Sequence, residues 1–569
     1  MKKLTITILS LFIVLALSVM AHAQTPPPGQ EPGAQAERYK YDAEKEKKAL
    51  EYKKPKPPKI EIEKEKARPV IEGPSFMLKE VNITGSTVFK PQDFQPIYGP
   101  YIDKKVTFTE MEDVSAKIES RYKQKGYLTT IVYIPEQEIK DGTIEIRIAE
   151  GKMGQLDVEG NNWFSRDFIK KFIHSKKNEI LNIKTLSRDI LRLNKNPDLE
   201  IKAVISPGKE PQTSDISLKV DGKFPWHAGF LEDNRSSRLT GKYRSMFTLR
   251  SSNISGLGDT IFVNTLYSGN SFGESVSYNI PVGTYGTTIG ADITYFWMKL
   301  GKEYKSFDIT GNTQIYTPHA SWELALSEDF EAYANLGIDI KSVIKAMGSD
   351  TTANDQLRVP YLGFDFSKTD AAGQTSFSPR FDFGTSGFLG ASPRGYSKLS
   401  RPDSGGFFFK YEQSLNRLQK MFLESYMYIR SRFQIATHTL APSEQFQLGG
   451  ADSVRGYPEG DYLADTGAVM NLDWVFPMYF IPKDWKLPGQ NMALRHQIQP
   501  VFFFDMGGGT LSKTIAGEKK DKFLAGIGGG LLVHFKYLSL RLYWAADIGD
   551  KPVSGAGPST FYFTFQSEI

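Results

Sequence analysis

Cysteine is absent from all 569 residues, which excludes disulfide frameworks and thiol catalysis. Histidine is scarce, with 7 in the chain, and no two stand at the His-x-His or His-x-x-x-His spacing that brings two imidazoles to one metal. The run Gly507-Gly508-Gly509-Thr510 lacks the Lys-Ser/Thr pair a phosphate cradle needs, and no Gly-x-Ser-x-Gly sits at a strand-to-helix junction. Neither catalysis, nor a metal, nor any other cofactor is therefore expected. A formal net charge of +5 is small for this length and does not call for nucleic acid as a partner.

Long apolar runs are also missing, except at the start. Met1-Lys2-Lys3 supplies positive charge, residues 4–20 are mostly apolar, and Ala21-His22-Ala23 has the small-x-small form of a signal-peptidase site. Residues 1–23 read as a secretory signal. Beyond them no stretch approaches twenty consecutive apolar residues, so no transmembrane helix is expected. A β-barrel passes that filter, because its strands alternate lipid-facing apolar with lumen-facing polar residues and average to a polar composition.

Composition shifts divide the remainder. Residues 24–75 are dominated by Lys, Glu, Pro, Ala and Gln and cannot bury a core. Within them, Ala36 to Lys53 is free of Pro and Gly, and Glu44/Lys48 and Glu37/Lys40 stand at helical pair spacings, which predicts an exposed helix. Pro55-Lys56-Pro57-Pro58 then reads as an extended spacer.

Residues 76–151 and 152–223 repeat one pattern of strand, helix, helix, strand, strand. The first copy opens with a strand over Phe76 to Ile83. A Thr109-x-x-Glu112 capping box then starts a helix with Met111, Val114, Ile118 and Tyr122 on one face, and Gly126 ends it. Asp141-Gly142 forms a turn between two short strands. The second copy has strands near 154–158, 199–205 and 215–220 and helices near 165–174 and 184–193.

From 224 to 569 glycine and aromatic content rise and period-two alternation takes over. Leu538, Leu540, Leu542 and Trp544 oppose Ser539, Arg541 and Tyr543; Phe561, Phe563 and Phe565 oppose Tyr562, Thr564 and Gln566. Over Leu423 to Ile435, Met427, Ile429 and Phe433 oppose Glu424, Arg430 and Arg432, and charge repeated on the second face fits a wet lumen. At roughly ten residues per spanning strand plus loops this region holds about 16 antiparallel strands, an even number that returns the C-terminus to the side of entry.

The α/β repeat resembles the POTRA pair of TpsB transporters, the ShlB/FhaC/HecB type, in Val81-Asn82-Ile83-Thr84-Gly85, Gly126-Tyr127, Ile134-Pro135-Glu136-Gln137, Asp141-Gly142, Glu150-Gly151, Leu193-Asn194 and Ser206-Pro207-Gly208. Asp233-Asn234-Arg235-Ser236 resembles the first hairpin of these barrels, with Arg235 where Gly is usual. The chain also runs past Phe565 to Gln566-Ser567-Glu568-Ile569, whereas such barrels usually end on an aromatic residue.

A long loop between strands ending near Ala436 and starting near Gly467 carries Val454-Arg455-Gly456-Tyr457. It is similar to the signature of the sixth extracellular loop of TpsB and BamA-type barrels, which folds back into the lumen. The family's partner motif is present as Phe503-x-Asp505-x-Gly507. Asp505 shares parity with Gln497 and Gln499 and points to the lumen, where the Arg455 guanidinium matches it bidentately; Gly456 permits the close turn. In a partly hydrated lumen this lock is worth roughly 1–3 kcal/mol.

The resemblance implies an outer-membrane transporter of a Gram-negative bacterium, with its POTRA repeats in the periplasm. These would bind an unfolded TpsA-like exoprotein that leaves through the barrel; the segment 24–54 would be a possible plug, and the protein a monomer surrounded by outer-membrane lipid. A BamA-like insertase is the alternative. A porin would need no POTRA repeats, and two repeats rather than more favour secretion.

Overall fold

The computed structural model describes residues 27–51, 59–62, 75–553 and 556–569; the secretory signal at 1–23 and the spacer at 55–58 lie outside them. The described chain separates into an α/β unit over residues 51–225 and a unit that joins residues up to 50 to the barrel.

In the α/β unit, Glu80–Thr84 runs parallel to Thr143–Ala149, and Ile131–Tyr133 lies antiparallel on its other side. The single strand expected over 76–83 is in fact two. Phe76–Leu78 pairs with Lys104–Val106, and the chain breaks at Lys79, whose amide bonds to the Gly142 carbonyl, before entering the next sheet. The helix Phe108–Gln124 is capped by Thr107, not Thr109: Thr107 is extended, accepts from the Glu110 amide, and donates its own N–H to the Glu110 carboxylate. Both Thr-x-x-Glu spacings exist, and starting two residues earlier leaves Met111, Val114, Ile118 and Tyr122 on the buried face. Asp141 and Gly142 both take positive φ, as a type I′ turn requires.

Residues 152–222 form a second sheet of Lys152–Glu159, Thr213–Gly222 and Leu199–Pro207, packed on helices Arg166–Lys171 and Ile183–Leu193. A strand that the sequence did not suggest extends it: Ile60–Ile62 lies parallel on Leu199–Pro207, with Ile60 packed on the core.

The barrel closes through sixteen antiparallel strands among the described residues, from Trp226–Asp233 to Ser559–Glu568. Its seam pairs Gly229 to Asp233 with Glu568 to Thr564. The strand expected to begin at Leu423 starts at Tyr426, because Leu423 and Glu424 both take positive φ in the preceding turn. Glu424 bonds there to Arg495 instead of facing the lumen.

Glu150 fixes the end of the first α/β sheet. Its carboxylate accepts the Thr87 and Val88 amides at 2.9 Å and the Tyr122 hydroxyl at 2.8 Å. Burial alone would raise this carboxyl; bonds from Thr87, Val88 and Tyr122 outweigh it and hold the group below the usual carboxylate range. A depressed folded value means stabilisation present above the unfolded pKa and lost as pH falls through the folded one. Hydrogen-exchange protection factors at Thr87 and Val88 should therefore drop on acidification in the wild type, and in Glu150→Gln they should be lower at neutral pH and flatter with pH.

Candidate functional site

The helix Pro32–Glu51 touches strands two to seven and sixteen of the barrel, on both sides of the seam, which is possible only from inside. Tyr39 donates to the Asn264 carbonyl at 2.6 Å, Arg244 grips Asp42 at 2.6 Å, Lys40 reaches Asp339 at 3.1 Å, and Gln566 donates to Glu46 at 2.6 Å. Lys341 pairs with Glu37 at 2.7 Å and Lys345 with Glu31 at 2.8 Å. Small residues make the fit: Ala34, Ala36 and Ala43 are buried, and a Cβ at Gly33 would lie 2.9 Å from the Ser443 Cβ. The expected exposed helix is thus a lumen helix, starting at Pro32. Glu37 and Lys40 each bind the wall, because a fixed wall charge in a confined space competes better than a mobile neighbour.

The loop 437–465 also turns inward. It forms a hairpin, Phe446–Leu448 against Tyr462–Ala464, and carries Val454-Arg455-Gly456-Tyr457 to the thirteenth strand, Ile498–Thr510. Arg455 donates from Nε to Asp505 Oδ2 at 2.6 Å and from Nη2 to Oδ1 at 2.7 Å, and its own amide bonds to Oδ2 at 3.0 Å. The guanidinium carbon lies 3.6 Å from the Phe503 ring centroid. Val454 and Tyr457 pack with Leu448, Tyr462, Val469 and Leu524. Gly456, at φ 101°, sits where a Cβ would meet the Ala546 and Asp547 backbone at 2.9 Å. A Cβ at Gly507 would meet the Leu448 side chain at 3.0 Å, so the partner motif's glycine admits the hairpin.

Sequence reasoning missed several partners. Asp473 also takes Arg455, and Asn471, which faces Asp505 across the register, donates to it at 2.8 Å and to the Ser453 carbonyl at 2.5 Å. The alternating polar pair Asn471-x-Asp473 was the available signal, but only the strand register puts it beside Asp505. Glycines on the fourteenth strand, Asp521–His534, were read only as composition. A Cβ at Gly526 would lie 2.0 Å from the Arg455 carbonyl oxygen, and one at Gly528 would lie 2.4 Å from the Phe503 ring. Tyr562 accepts the Gly456 amide at 3.2 Å and donates to the Tyr457 carbonyl at 2.9 Å.

This place is not partly hydrated. Arg455 is 1 % exposed and Asp505 0 %, so loss of either side chain leaves a buried charge with only Asp473 or Asn471 to meet it, a larger penalty than a partly hydrated contact would give. A second cluster joins loop, wall and helix: Arg235 bonds to Asp452 and to Glu459, and lies 3.7 Å from Asp42, while Lys45 also holds Asp452. The arginine that departs from the usual glycine is the hub of this cluster. Among the described residues no group of three or more His, Cys, Asp or Glu could hold a metal ion, and no helix is long and apolar enough to cross a membrane.

A closed sixteen-stranded barrel with charges in a lumen filled by its own helix and loop, following an α/β sheet unit, defines a transmembrane β-barrel of the outer-membrane type. Residues 76–151 match the model of the POTRA domain, ShlB-type, and residues 212–533 match that of the haemolysin secretion/activation protein ShlB/FhaC/HecB. The chain belongs to that ShlB/FhaC/HecB family, and is an outer-membrane transporter of the two-partner secretion type. Similar proteins include the outer membrane transporter CdiB of Dickeya dadantii, 24% identical over 74% of this chain and 75% of that protein. The heme/hemopexin transporter protein HuxB of Haemophilus influenzae is 22% identical over 81% of each chain. The solved structure of CdiB from Escherichia coli shares the fold, with a TM-score of 0.71 at 18% identity, covering 94% of this chain and 98% of that one. Members of the family work with TpsA-like exoprotein partners.

Because Arg455 and Asp505 meet in one contact, Arg455→Ala and Asp505→Ala should each lower the temperature at which the barrel loses its compact migration on gels, by a similar amount. The double variant should lose little more than either single one. Additive losses would show that the two side chains act separately.

Proposed function

We propose that this protein threads one unfolded exoprotein from the periplasm through its barrel. The α/β repeats 76–151 and 152–223 act as two POTRA domains that capture the substrate, and the helix acts as a displaceable plug. In this reading residues 1–23 are the signal peptide and 24–75 the plug with its linker, and the barrel works as a monomer in contact with outer-membrane lipid, with no catalytic step. Val454, Arg455, Gly456 and Tyr457 with Phe503, Asp505 and Gly507 hold the loop as a lock against the wall.

The observation that carries the proposal is the manner in which the lumen is filled. The loop is packed on the wall through an apolar cluster, whereas among the described residues the helix has only Ala36 and Tyr39 in such a cluster and is otherwise bound by ion pairs and hydrogen bonds, such as Asp42–Arg244, Lys40–Asp339 and Glu37–Lys341. Such contacts can be exchanged for water as the segment leaves, whereas an apolar core would hold it in place. Substrate capture by strand addition is supported by the sheet edge at Leu199–Pro207, which accepts Ile60–Ile62 as an added parallel strand. An exoprotein segment would use the same backbone donors and acceptors. Folding outside the cell would prevent return and supply direction.

Two measurements test this. Removal of residues 24–54 should raise single-channel conductance of the purified protein in a planar bilayer; an unchanged conductance would mean the helix does not obstruct the path. Deletion of residues 76–223 should abolish exoprotein release while the barrel still inserts, and continued secretion would end the capture role.

A further inference from the structure

The connection between the twelfth and thirteenth strands, residues 476–497, lies on the side at which the chain enters the barrel, and it is built as a rigid hook. Met478 N–H bonds to the Arg495 carbonyl at 2.8 Å, Leu494 N–H to the Trp485 carbonyl at 2.7 Å, and Lys486 bridges Ala493. The Tyr479 hydroxyl ties it to the neighbouring turn through the Leu423 carbonyl at 2.7 Å, and Arg495 does so through Glu424. On this fixed frame Phe480 is 83 % exposed and Trp485 61 %, with Met492, Phe422 and Leu423 also exposed.

A tied loop that displays large apolar side chains needs something to cover them. What covers them is indicated by continuity with the barrel's outer face. Trp474 and Phe502 have outward parity, opposite Asp473, Val475 and Phe503, and Phe502 is exposed on the wall. An unbroken chain of ring contacts leads from there to the rim: Phe502 to Phe476 at 6.1 Å, Phe476 to Trp474 at 4.8 Å, Trp474 to Phe422 at 5.7 Å. Lys420, Lys483 and Lys486 stand exposed around the same rim. A cavity of about 500 Å³, lined by Leu418, Lys420, Met421, Glu424, Ser425 and Tyr426, opens beside it.

We propose that the hook is a lipid anchor. Phe480, Trp485, Phe422 and Leu423 enter the periplasmic leaflet of the outer membrane, and Lys420, Lys483 and Lys486 take the phosphates of its glycerophospholipids. Aromatic rings with lysines at their margin match the boundary between acyl chains and headgroups. The proposal rests on the barrel's seat in the outer membrane, and a failure of substrate threading would leave it untouched. Its effect is to fix one arc of the periplasmic rim, strands ten to thirteen, to the leaflet, so that the wall bearing Asp473 and Asp505 has a stationary base.

The absence of cysteine makes the test direct. A bimane fluorophore is attached to Phe480→Cys, to Trp485→Cys and, as a control in the first α/β repeat, to Lys117→Cys, each in the full-length protein. The proteins are placed in vesicles of phosphatidylethanolamine and phosphatidylglycerol with brominated or ordinary acyl chains. Bromine should quench the label at 480 and 485 and leave that at 117 unchanged. Absence of quenching at 480 and 485 would overturn the anchor and assign the patch to a protein surface instead; equal quenching at all three would overturn it as unspecific. Should a labelled variant lose heat-modifiable migration, Lys483→Glu/Lys486→Glu in the unlabelled chain decides. It should abolish any preference for reconstitution into phosphatidylglycerol-containing over pure phosphatidylcholine vesicles, and an unchanged preference would remove the phosphate contacts from the proposal.

Discussion

A backbone amide or carbonyl left unpaired in hydrocarbon costs several kcal/mol, and a sheet that crosses a bilayer must therefore have no edge. Here the requirement is met where Trp226–Asp233 joins Ser559–Glu568. Closing the sheet forces a division of side chains, since alternate residues then face lipid or an enclosed space. The enclosed space receives Asp233, Arg244, Asp339, Lys341, Asp473 and Asp505, all buried. These charges require counter-charges within reach, and the chain supplies them from the helix and the inward loop. The filling of the lumen thus follows from the closure of the wall.

Within that space two kinds of contact coexist. The Arg455 site is dry, saturated with donors and acceptors, and walled by Phe503; two glycines of the neighbouring strand leave the room for it. The helix, by contrast, is held by separate ion pairs spread over its length, several of them at margins where Lys45 and Glu37 retain contact with water. Each helix pair is a separate contact along the segment, whereas at the Arg455 site one guanidinium is held by two carboxylates at once. The Asp452–Arg235–Asp42 cluster couples the two, because a single guanidinium serves loop and helix.

Period-two alternation made the barrel readable, and it located Asp505 on the lumen face, since parity survives small errors in strand ends. Motif resemblance supplied Arg455. Neither source gave Asp473 or Asn471, whose role depends on which residue of one strand lies across from which of the next. The pattern of the helix by itself suggested exposure, and a place in the lumen came only from the family resemblance. Glu-Lys spacing is the same in water or in a pore, and nothing local distinguishes a solvated charge from one awaiting a partner some three hundred residues away, as Lys40 awaits Asp339. Thr107 and Thr109 offered equal caps, and tertiary packing chose between them without altering the buried face. Ile60–Ile62 was hidden because a strand of three residues bounded by charge has no pattern of its own.

If the helix Pro32–Glu51 leaves the lumen as proposed, it exchanges a confined state for a solvated one. Its Glu37 and Lys40, bonded to the wall in the lumen, would then be free to meet at their helical spacing, a pairing too weak to hold a segment of this length wholly helical. A free segment of this length melts at least partly in water, and re-forming it requires the unfavourable first turn before any wall contact is regained. Departure would be accompanied by a gain in chain entropy, and return would pass through a nucleation step. The helix would thus be at its most ordered in the closed state, its order supplied more by the wall than by its own sequence.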